Sequence, residues 1–517
     1  MSVALLPRVR TAPYAAQPTV ITASEMAAIS NMGYGAERYD HFARNGNETP
    51  DGQLMDSARA LTQVKVTGLL GRFTHTVNFP ATDEFVIVHG PNGVGKTMLL
   101  DLISAVSWPV DFGKIARVPF QTLQMCFSDG SQLSIEKPEP ESMHEEDQAS
   151  PDDETRTAPA SLSFLLEGPG PVRITWSPKL PVGRAEARRA FMRLETGSAE
   201  LLSRNQRLLR NQLMHATDEV ALLDLLAQWG DEPPDALRDL LSELMPAEMR
   251  EYLTGIVVHS IDTHRLLGLS VPEDRPGRRQ RPTLMKVEEF AQDLARRLAK
   301  ELAENSRTSQ ELDRTYPQRL LENPAVDVSE QAIRERYDAQ NELRRQLGDI
   351  SLVDDDERSS VIEIPERMED WQRAVLWTYL RDTEAKLATF QDTLDRVSRL
   401  REIVNSRFLF KHLEIDRERG FRLVSDDGQE LELASLSSGE QHELVLVYDL
   451  LFNVPLGALV LIDEPEISLH VSWQKGFITD LRKIASLVRF RTIVATHSPQ
   501  IAGKWADRMV VLGPDAE

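Results

Sequence analysis

The sequence predicts an α/β fold with mixed sheets, in which one core is split by a large helical insertion. Three observations lead to this prediction. An apolar run at 85–88 is followed by a glycine-rich segment and then by helical periodicity. Residues 408–517 again alternate between strand-like and helix-like patterns. Between these parts, apolar residues recur at helical spacing, as at Val287, Phe290 and Leu294.

The composition predicts a soluble, cytoplasmic protein. The 517 residues include 59 basic and 81 acidic side chains, and a net charge of −22 repels nucleic acid unless basic residues cluster locally. No segment approaches the roughly 18 apolar residues that span a bilayer, so no membrane partner is expected. The single cysteine, Cys126, excludes an intrachain disulfide and a cysteine metal cluster, and we expect an inert core thiol.

Changes in composition divide the chain into five predicted segments. The first is an N-terminal extension with loop signals and no assigned role. An acidic, proline-punctuated stretch is expected to be a disordered loop because it can bury little apolar surface. The predicted segments are the extension (1–61), the first part of the core (62–135), the acidic loop (136–161), a helical insertion with short strands near 257–262 (162–407), and the second part of the core (408–517).

The helical insertion is expected to be compact and to contain a short helical hairpin or coiled coil. No heptad run is long enough for an extended coiled-coil arm. Pro317, Pro324 and Pro365 are expected to interrupt the helices, because proline lacks the backbone N–H that a helix needs. Alternation at 408–410 predicts the first strand after the insertion.

The segment from Gly90 to Thr97 matches the phosphate-binding pattern G-x-x-x-x-G-K-T between a predicted strand and a predicted helix. Its glycines permit backbone angles that let consecutive N–H groups surround a phosphate. Lys96 would reach the β- and γ-phosphates of a nucleotide, and the Thr97 hydroxyl would bind Mg²⁺. The predicted nucleotide contacts are Gly90, Asn92, Gly93, Gly95, Lys96, Thr97 and Met98.

A second motif is the apolar strand 459–462, which ends in Asp463 and Glu464. Ligands of parallel sheets gather at the carboxyl ends of the strands, where this acidic pair would lie. Asp463 would support Mg²⁺, and Glu464 would act as general base toward the attacking water. An acidic pair at a strand end is common by itself, but a phosphate-binding loop in the same chain favours the catalytic role.

Two further motifs, together with the phosphate-binding pattern and the acidic pair, make up four motifs in a defined order along the chain. Ser437, Ser438 and Gly439 open a predicted helix, where they would by themselves be an ordinary helix cap. His497 ends the strand 492–496. In this order the motifs resemble those of the ABC-type ATPases. The resemblance implies that Ser437, Ser438 and Gly439 contact, in trans, the γ-phosphate of ATP bound by a second subunit, and that His497 senses the γ-phosphate.

Other positions are less well defined by the resemblance. ABC-type proteins usually place a Mg²⁺-sensing glutamine after a strand like the one near 257–262, but this chain offers Asp262 or His264 there. The segment 468–470 looks like the loop that crosses the dimer interface in that family. The segment 72–75 either contacts adenine or ribose, or is an ordinary β-turn.

The long separation of the motifs points to one branch of these ATPases. Ser437 follows Thr97 by 340 positions, and with the segments 462–470 and 495–499 the chain resembles bacterial AAA-family ATPases of SMC-like and OLD-like type. Only 20 residues follow His497, so no nuclease domain of the OLD kind is expected behind it. The chain thus looks similar to stand-alone ATPase components of antiphage defence systems of PARIS type or Septu type.

This resemblance implies ATP and Mg²⁺ as cofactors and a head-to-tail dimer or higher homo-oligomer. It also implies a separate effector protein, such as a nuclease or toxin, that the ATPase holds or releases. Three alternatives stay open at this point: a RecF-like DNA repair ATPase, a transporter ATPase subunit, and a slow ATPase acting mainly as a scaffold. DNA binding would depend on two arginine clusters, Arg184/Arg188/Arg189/Arg193 and Arg275/Arg278/Arg279/Arg281, which are more simply solvated charge runs.

Overall fold

The computed structural model describes about three fifths of the chain. The described residues are 59–79, 84–108, 110–137, 162–170, 173–177, 245–261, 286–322, 328–353, 364–365, 367–467, 469 and 471–513. Almost all of the predicted N-terminal extension, most of the predicted acidic loop and both arginine clusters lie outside these residues.

Fourteen strands and eleven α-helices are present in the described part of the chain. The strands are β1 (Leu61–Leu69), β2 (Phe73–Asn78), β3 (Phe85–His89), β4 (Thr122–Phe127), β5 (Gln132–Glu136), β6 (Ser163–Glu167), β7 (Arg173–Trp176), β8 (Val258–Ile261), β9 (Lys411–Asp416), β10 (Gly420–Ser425), β11 (Glu430–Leu431), β12 (Leu459–Asp463), β13 (Arg491–Thr496) and β14 (Met509–Val511). The helices are α1 (Lys96–Val106), α2 (Phe112–Arg117), α3 (Ala247–Thr254), α4 (Lys286–Glu322), α5 (Glu330–Gly348), α6 (Asp370–Ala388), α7 (Gln391–Asn405), α8 (Ser438–Phe452), α9 (Val471–Gln474), α10 (Phe477–Val488) and α11 (Pro499–Ala502).

A five-stranded sheet with the order β14-β3-β13-β12-β8 forms the centre of the fold, and all of its paired strands are parallel. The strands are continuous apolar runs because both faces of a parallel sheet are covered. Along β3, Val86 and Val88 pack into one core, whereas Phe85 and Ile87 pack into the other. The sheet therefore brings the carboxyl ends of β3, β12 and β13 side by side.

Two antiparallel sheets flank this centre. The larger has the order β2-β1-β4-β5-β6-β7 and covers the core that contains Val86 and Val88. The smaller has the order β11-β10-β9 and belongs to the opposite core. Arg491 links the larger sheet to the parallel one, since its guanidinium donates to the carbonyls of Leu61 and Phe79 and stacks on the Phe79 ring. The predicted α/β class with several sheets is confirmed.

The helical insertion runs from α4 to α7 and joins the two parts of the core. The first half of α4 is buried through Val287, Phe290, Leu294 and Leu298, and it packs on β10 and α8. Gly420 permits this approach, because a Cβ there would lie 1.9 Å from the Ala291 carbonyl oxygen. The second half of α4 lies beside α6 and contacts it through polar groups, such as the Asp313–Lys386 ion pair at 2.7 Å. This arrangement confirms the predicted helical insertion that splits the core.

Several expectations about the elements were wrong in detail. The insertion was expected to start at 162, but β6 and β7 extend the antiparallel sheet because Phe164 and Leu166 alternate with less buried residues. Pro317 does not interrupt α4, since it lies in an exposed stretch where water can satisfy the carbonyl that loses its partner. The strand after the insertion begins at Lys411 and not at 408, because Phe410 adopts a φ of 62°.

Candidate functional site

The phosphate-binding loop lies where the sequence predicted it, between β3 and α1. Gly93 and Gly95 adopt φ values of 83° and 89°, which a residue with a Cβ rarely takes. At Gly95 a Cβ would also lie 2.6 Å from the Leu69 side chain, and at Gly90 it would lie 2.4 Å from the Leu512 carbonyl oxygen. The loop shape thus depends on these glycines, and Asn92 and Thr97 are exposed at its open side.

Lys96 is buried and connects the loop to the histidine at the end of β13. Its Nζ donates to the carbonyl oxygens of Gly90 at 2.9 Å and Pro91 at 3.2 Å. The same Nζ lies 2.7 Å from His497 Nε2. Burial lowers the pKa of Lys96, and the nearby carboxylates of Glu464, Asp463 and Glu466 partly offset this effect. Lys96 therefore lies next to the carboxylates of Glu464, Asp463 and Glu466 at the base of the loop.

Thr97 and Asp463 meet in the way that a magnesium site needs. The Thr97 hydroxyl donates to Asp463 Oδ2 at 2.9 Å, while Oδ1 of the same carboxylate is buried without a hydrogen-bond partner. Burial, together with the charges of Glu464 and Asp101, raises the pKa of Asp463, against a lowering effect of the Thr97 hydrogen bond and Lys96.

These residues fit Mg²⁺, which prefers oxygen ligands and keeps several water or phosphate ligands. Among the described residues, no group of three or more His, Cys, Asp or Glu side chains is arranged to hold a metal by itself. Nucleotide oxygens and water would complete the coordination shell of the ion. When bound, it would neutralise charge on the phosphates.

Glu464 faces His497 from the turn after β12. Its Oε1 lies 3.3 Å from His497 Nε2, and its backbone N–H donates to the Ala495 carbonyl at 2.9 Å. Glu464 has a φ of 45°, an uncommon conformation for a residue other than glycine. Such backbone strain is frequent at functional sites. The half-buried carboxylate is thus placed at the carboxyl edge of the sheet, where a general base could act.

Glu466 is a residue of this site that sequence reasoning missed. Its Oε1 accepts hydrogen bonds from the Thr496 hydroxyl at 2.8 Å and from the N–H groups of His497 at 2.6 Å and Ser498 at 3.1 Å. A third acidic residue so close to Asp463 and Glu464 looks like part of a solvated turn. The only sequence feature that could have pointed to Glu466 is its short spacing from Asp463 and Glu464. The structure is needed to show that it contacts the end of β13.

Ser437, Ser438 and Gly439 lie at the start of α8 and are not brought to the phosphate-binding loop. Ser437 caps the helix: its hydroxyl accepts from the Glu440 N–H at 3.4 Å, and Glu440 Oε2 accepts from the Ser437 N–H at 2.8 Å. Lys411 binds Glu440 at 3.0 Å. Burial alone would raise the pKa of Glu440, but the bonds from Lys411 and Ser437 lower it. Both serines are exposed.

The remaining predicted positions separate into two groups. Asp262, His264, Ser468 and His470 lie outside the described residues. On the strand before Asp262, His259 Nε2 instead lies 2.9 Å from Asp449 Oδ2 on α8. In the segment 72–75, the buried His75 donates from Nε2 to the Val94 carbonyl, 2.8 Å away, and thereby braces the phosphate-binding loop from β2. Met98 is half-buried on α1.

The arrangement can bind a nucleoside triphosphate and activate a water molecule. The loop and Lys96 supply donors for phosphate oxygens, and Thr97 with Asp463 supplies oxygen ligands for a divalent cation. Glu464 and His497 lie next to each other beside Lys96, where a terminal phosphate would meet them. These side chains follow β3, β12 and β13, which lie side by side in the parallel sheet.

Comparison with known proteins identifies similar sequences. A family described as "AAA domain, putative AbiEii toxin, Type IV TA system" matches residues 289–502. The retron Ec83 probable ATPase of Escherichia coli is 33% identical over 103 residues, which are 18% of this chain and 19% of that protein. The match thus spans about a fifth of the length of that relative. These findings confirm the predicted resemblance to AAA-family ATPases.

Among solved structures, SMC head domains align with this chain at low similarity. The SMC head bound to the C-winged helix domain of ScpA is 11% identical, with a TM-score of 0.31 and coverage of 87% of this chain and 93% of that one. The SMC head with an extended coiled coil, bound to the C-terminal domain of ScpA derived from Pyrococcus furiosus, is 12% identical with a TM-score of 0.30 and coverage of 89% and 94%.

None of the helices within the described ranges combines the length and apolar character that crossing a membrane requires.

Proposed function

We propose that this protein binds and hydrolyses ATP and uses the cycle as a switch between an open and a closed assembly of two copies. The observation that carries the proposal is the convergence of Lys96, the Thr97–Asp463 pair and the Glu464–His497 pair at one edge of the parallel sheet. ATP with Mg²⁺ would occupy this edge. Glu464 would take the proton of the attacking water.

The exposed start of α8 supports the part of the proposal that concerns two copies. A serine hydroxyl and free N–H groups at a helix N-terminus favour an anion. Within one chain, the described structure joins Ser437 to Glu440 and not to the phosphate-binding loop. In a head-to-tail dimer, this helix start would meet the γ-phosphate on the second copy. ATP would thus hold the closed assembly, and hydrolysis would release it.

We further propose that the switch holds and releases a separate effector protein in a bacterial defence system. Support comes from the matched family, whose description names a toxin and a toxin–antitoxin system, and from the similarity to a retron ATPase. The helical insertion, which packs on α8, would carry the state of the ATP site to the effector. The partner itself is to be identified by its co-purification with the closed form.

The variant Glu464→Gln tests the proposal. It removes the base but keeps the shape of the side chain, so ATP should still close the assembly while hydrolysis is lost. We expect a drop in turnover of about 100-fold or more and a stable dimer with ATP by light scattering. A protein that hydrolyses ATP as a monomer at every concentration, or a Glu464→Gln variant that stays monomeric with ATP, would contradict the switch.

A further inference from the structure

We propose that Glu466 is a positioning residue that holds the His497 loop against the acidic turn, and that turnover depends on Glu466 through His497. This inference rests on the proposed function, since it concerns the same site. It assigns a role to a carboxylate that would touch neither the water nor the phosphate.

The hydrogen bonds of Glu466 converge on the backbone that carries the histidine. Oε1 accepts from the N–H groups of His497 at 2.6 Å and Ser498 at 3.1 Å, and from the Thr496 hydroxyl at 2.8 Å. Hydrogen bonds to an ionised acceptor are about twice as strong as neutral ones. Two of the donors belong to the peptide units on either side of His497. The carboxylate therefore fixes the position of the backbone that carries the imidazole.

A second contact holds the same loop from the same side. The Ser498 hydroxyl donates to Gln474 Oε1 at 2.8 Å, and Gln474 Nε2 donates to the Leu469 carbonyl at 3.1 Å. The Ser498 N–H also reaches the Thr496 hydroxyl oxygen at 2.9 Å. The loop after β13 is thus attached to the segment after β12 at several points, of which Glu466 provides three.

The turn itself explains why two carboxylates so close in sequence have different partners. The φ of 45° at Glu464 turns the chain, and the Ile467 N–H closes the turn on the Glu464 carbonyl at 3.1 Å. Glu464 then approaches the imidazole of His497, at 3.3 Å, while Glu466 holds its backbone. A displacement of the histidine loop by about 1 Å would separate His497 from Glu464, and misplacements of this size cost about 100-fold in rate.

The first experiment compares steady-state turnover and nucleotide affinity of Glu466→Ala with the full-length wild type. We expect kcat to fall about 100-fold, whereas the dissociation constant of a fluorescent ATP analogue stays within about threefold because Lys96, Thr97 and Asp463 are unchanged. Glu418→Ala, which removes an exposed carboxylate from the β9–β10 turn, is the matched control and should behave as wild type. Equal losses in affinity and turnover would indicate a general structural role and overturn the inference.

The second experiment asks whether Glu466 acts through His497. In a His497→Ala background, Glu466→Ala should cause no further loss, because the side chain that it positions is gone. If the two losses multiply, the residues act independently and the inference is wrong. Glu466→Gln keeps an oxygen acceptor for the three donors and should restore turnover to within about tenfold of wild type.

The outcomes separate this inference from the function on which it rests. A wild-type protein that hydrolyses no ATP would overturn both. An active wild type with a fully active Glu466→Ala variant would overturn the inference alone. If Glu466→Ala does not fold, Thr496→Val removes one donor at nearly constant shape. It should then give a smaller fall in kcat that again disappears in the His497→Ala background.

Discussion

At the scale of single residues, Lys96 connects the phosphate-binding loop with the histidine loop. Its Nζ is hydrogen-bonded to the carbonyls of Gly90 and Pro91 and to His497. An anionic γ-phosphate is a stronger hydrogen-bond acceptor for the Lys96 side chain than an imidazole nitrogen. Phosphate binding would therefore withdraw Lys96 from His497 and free the imidazole to face the phosphate.

Lys96→Ala should lose both turnover and ATP-dependent assembly. The alanine cannot reach the phosphates, and the closed assembly requires bound nucleotide. We expect hydrolysis at background level and a monomer mass with ATP by light scattering. Lys65→Ala, which removes an exposed lysine from β1, is the control and should assemble as wild type does. A Lys96→Ala protein that still closes with ATP would contradict the role given to this loop.

The residues of the site differ in how far the sequence predicts them. Lys96, Thr97, Asp463 and His497 could be placed because each follows a strand-like run and because their order is informative. The structure brings them together, although their roles remain predictions. Glu466 could not be identified in this way, since its three hydrogen bonds depend on which strand lies next to β12 in the sheet. The order of strands in a sheet cannot be read directly from the sequence.

At the scale of elements, the contact between α4 and α8 ties the helical insertion to the helix that carries Ser437. Asp293 on α4 accepts from Tyr448 on α8 at 2.8 Å and from Arg297 at 2.7 Å. The Tyr448 ring stacks between Phe290 and Phe452 at centroid distances of 4.5 and 4.6 Å. Movement of α8 would therefore be transmitted to α4.

Asp293→Asn should weaken this contact in a pH-dependent way. Burial alone would raise the pKa of Asp293, but Arg297 and Tyr448 hold it below its usual range. A lowered pKa in the folded state stabilises the protein above about pH 4, and this stabilisation is lost as the pH falls through the folded-state pKa. The variant should thus lose about 1–3 kcal/mol of unfolding free energy in urea at neutral pH, and the loss should shrink in acid.

The matched control for this prediction is Asp313→Asn. Asp313 lies on the exposed half of α4, where its side chain is 69% exposed and binds Lys386 at 2.7 Å. Exposed ion pairs contribute little, so we expect a change below about 1 kcal/mol. A loss at Asp293 that is equal to that at Asp313, or one that does not depend on pH, would mean that the ion pair does not stabilise the α4–α8 contact.

Elements with one consistent pattern could be predicted, and those that depend on distant partners could not. The strands β3, β12 and β13 are continuous apolar runs, and α4 repeats apolar residues at helical spacing. By contrast, β6 pairs with β5 across the acidic stretch, and its Phe164 and Leu166 are buried only because of that pairing. Such non-local pairing leaves too short a pattern in the chain to be separated from a loop.

At the scale of the whole molecule, the parallel sheet separates the two hydrophobic cores and carries the site at one edge. The larger antiparallel sheet closes one core, while α4, α7, α8 and α10 contribute to the other. In the proposed closed assembly, each chain would contribute one half of two identical sites, and the start of α8, where Ser437 and Ser438 are exposed, would be one of these halves. Such symmetry is the usual form of a closed homodimer.

A mixing experiment tests this division of the site. Lys96→Ala impairs the loop but keeps Ser438, whereas Ser438→Arg blocks the exposed helix start but keeps the loop. Each variant alone should be inactive. In an equal mixture half of the dimers are mixed, and each of these has one intact site of two, so turnover should recover to about a quarter of wild type. Lys96→Ala mixed with Glu464→Gln forms no intact site and should stay inactive. If the first mixture also stays inactive, the site does not combine two copies in the head-to-tail arrangement.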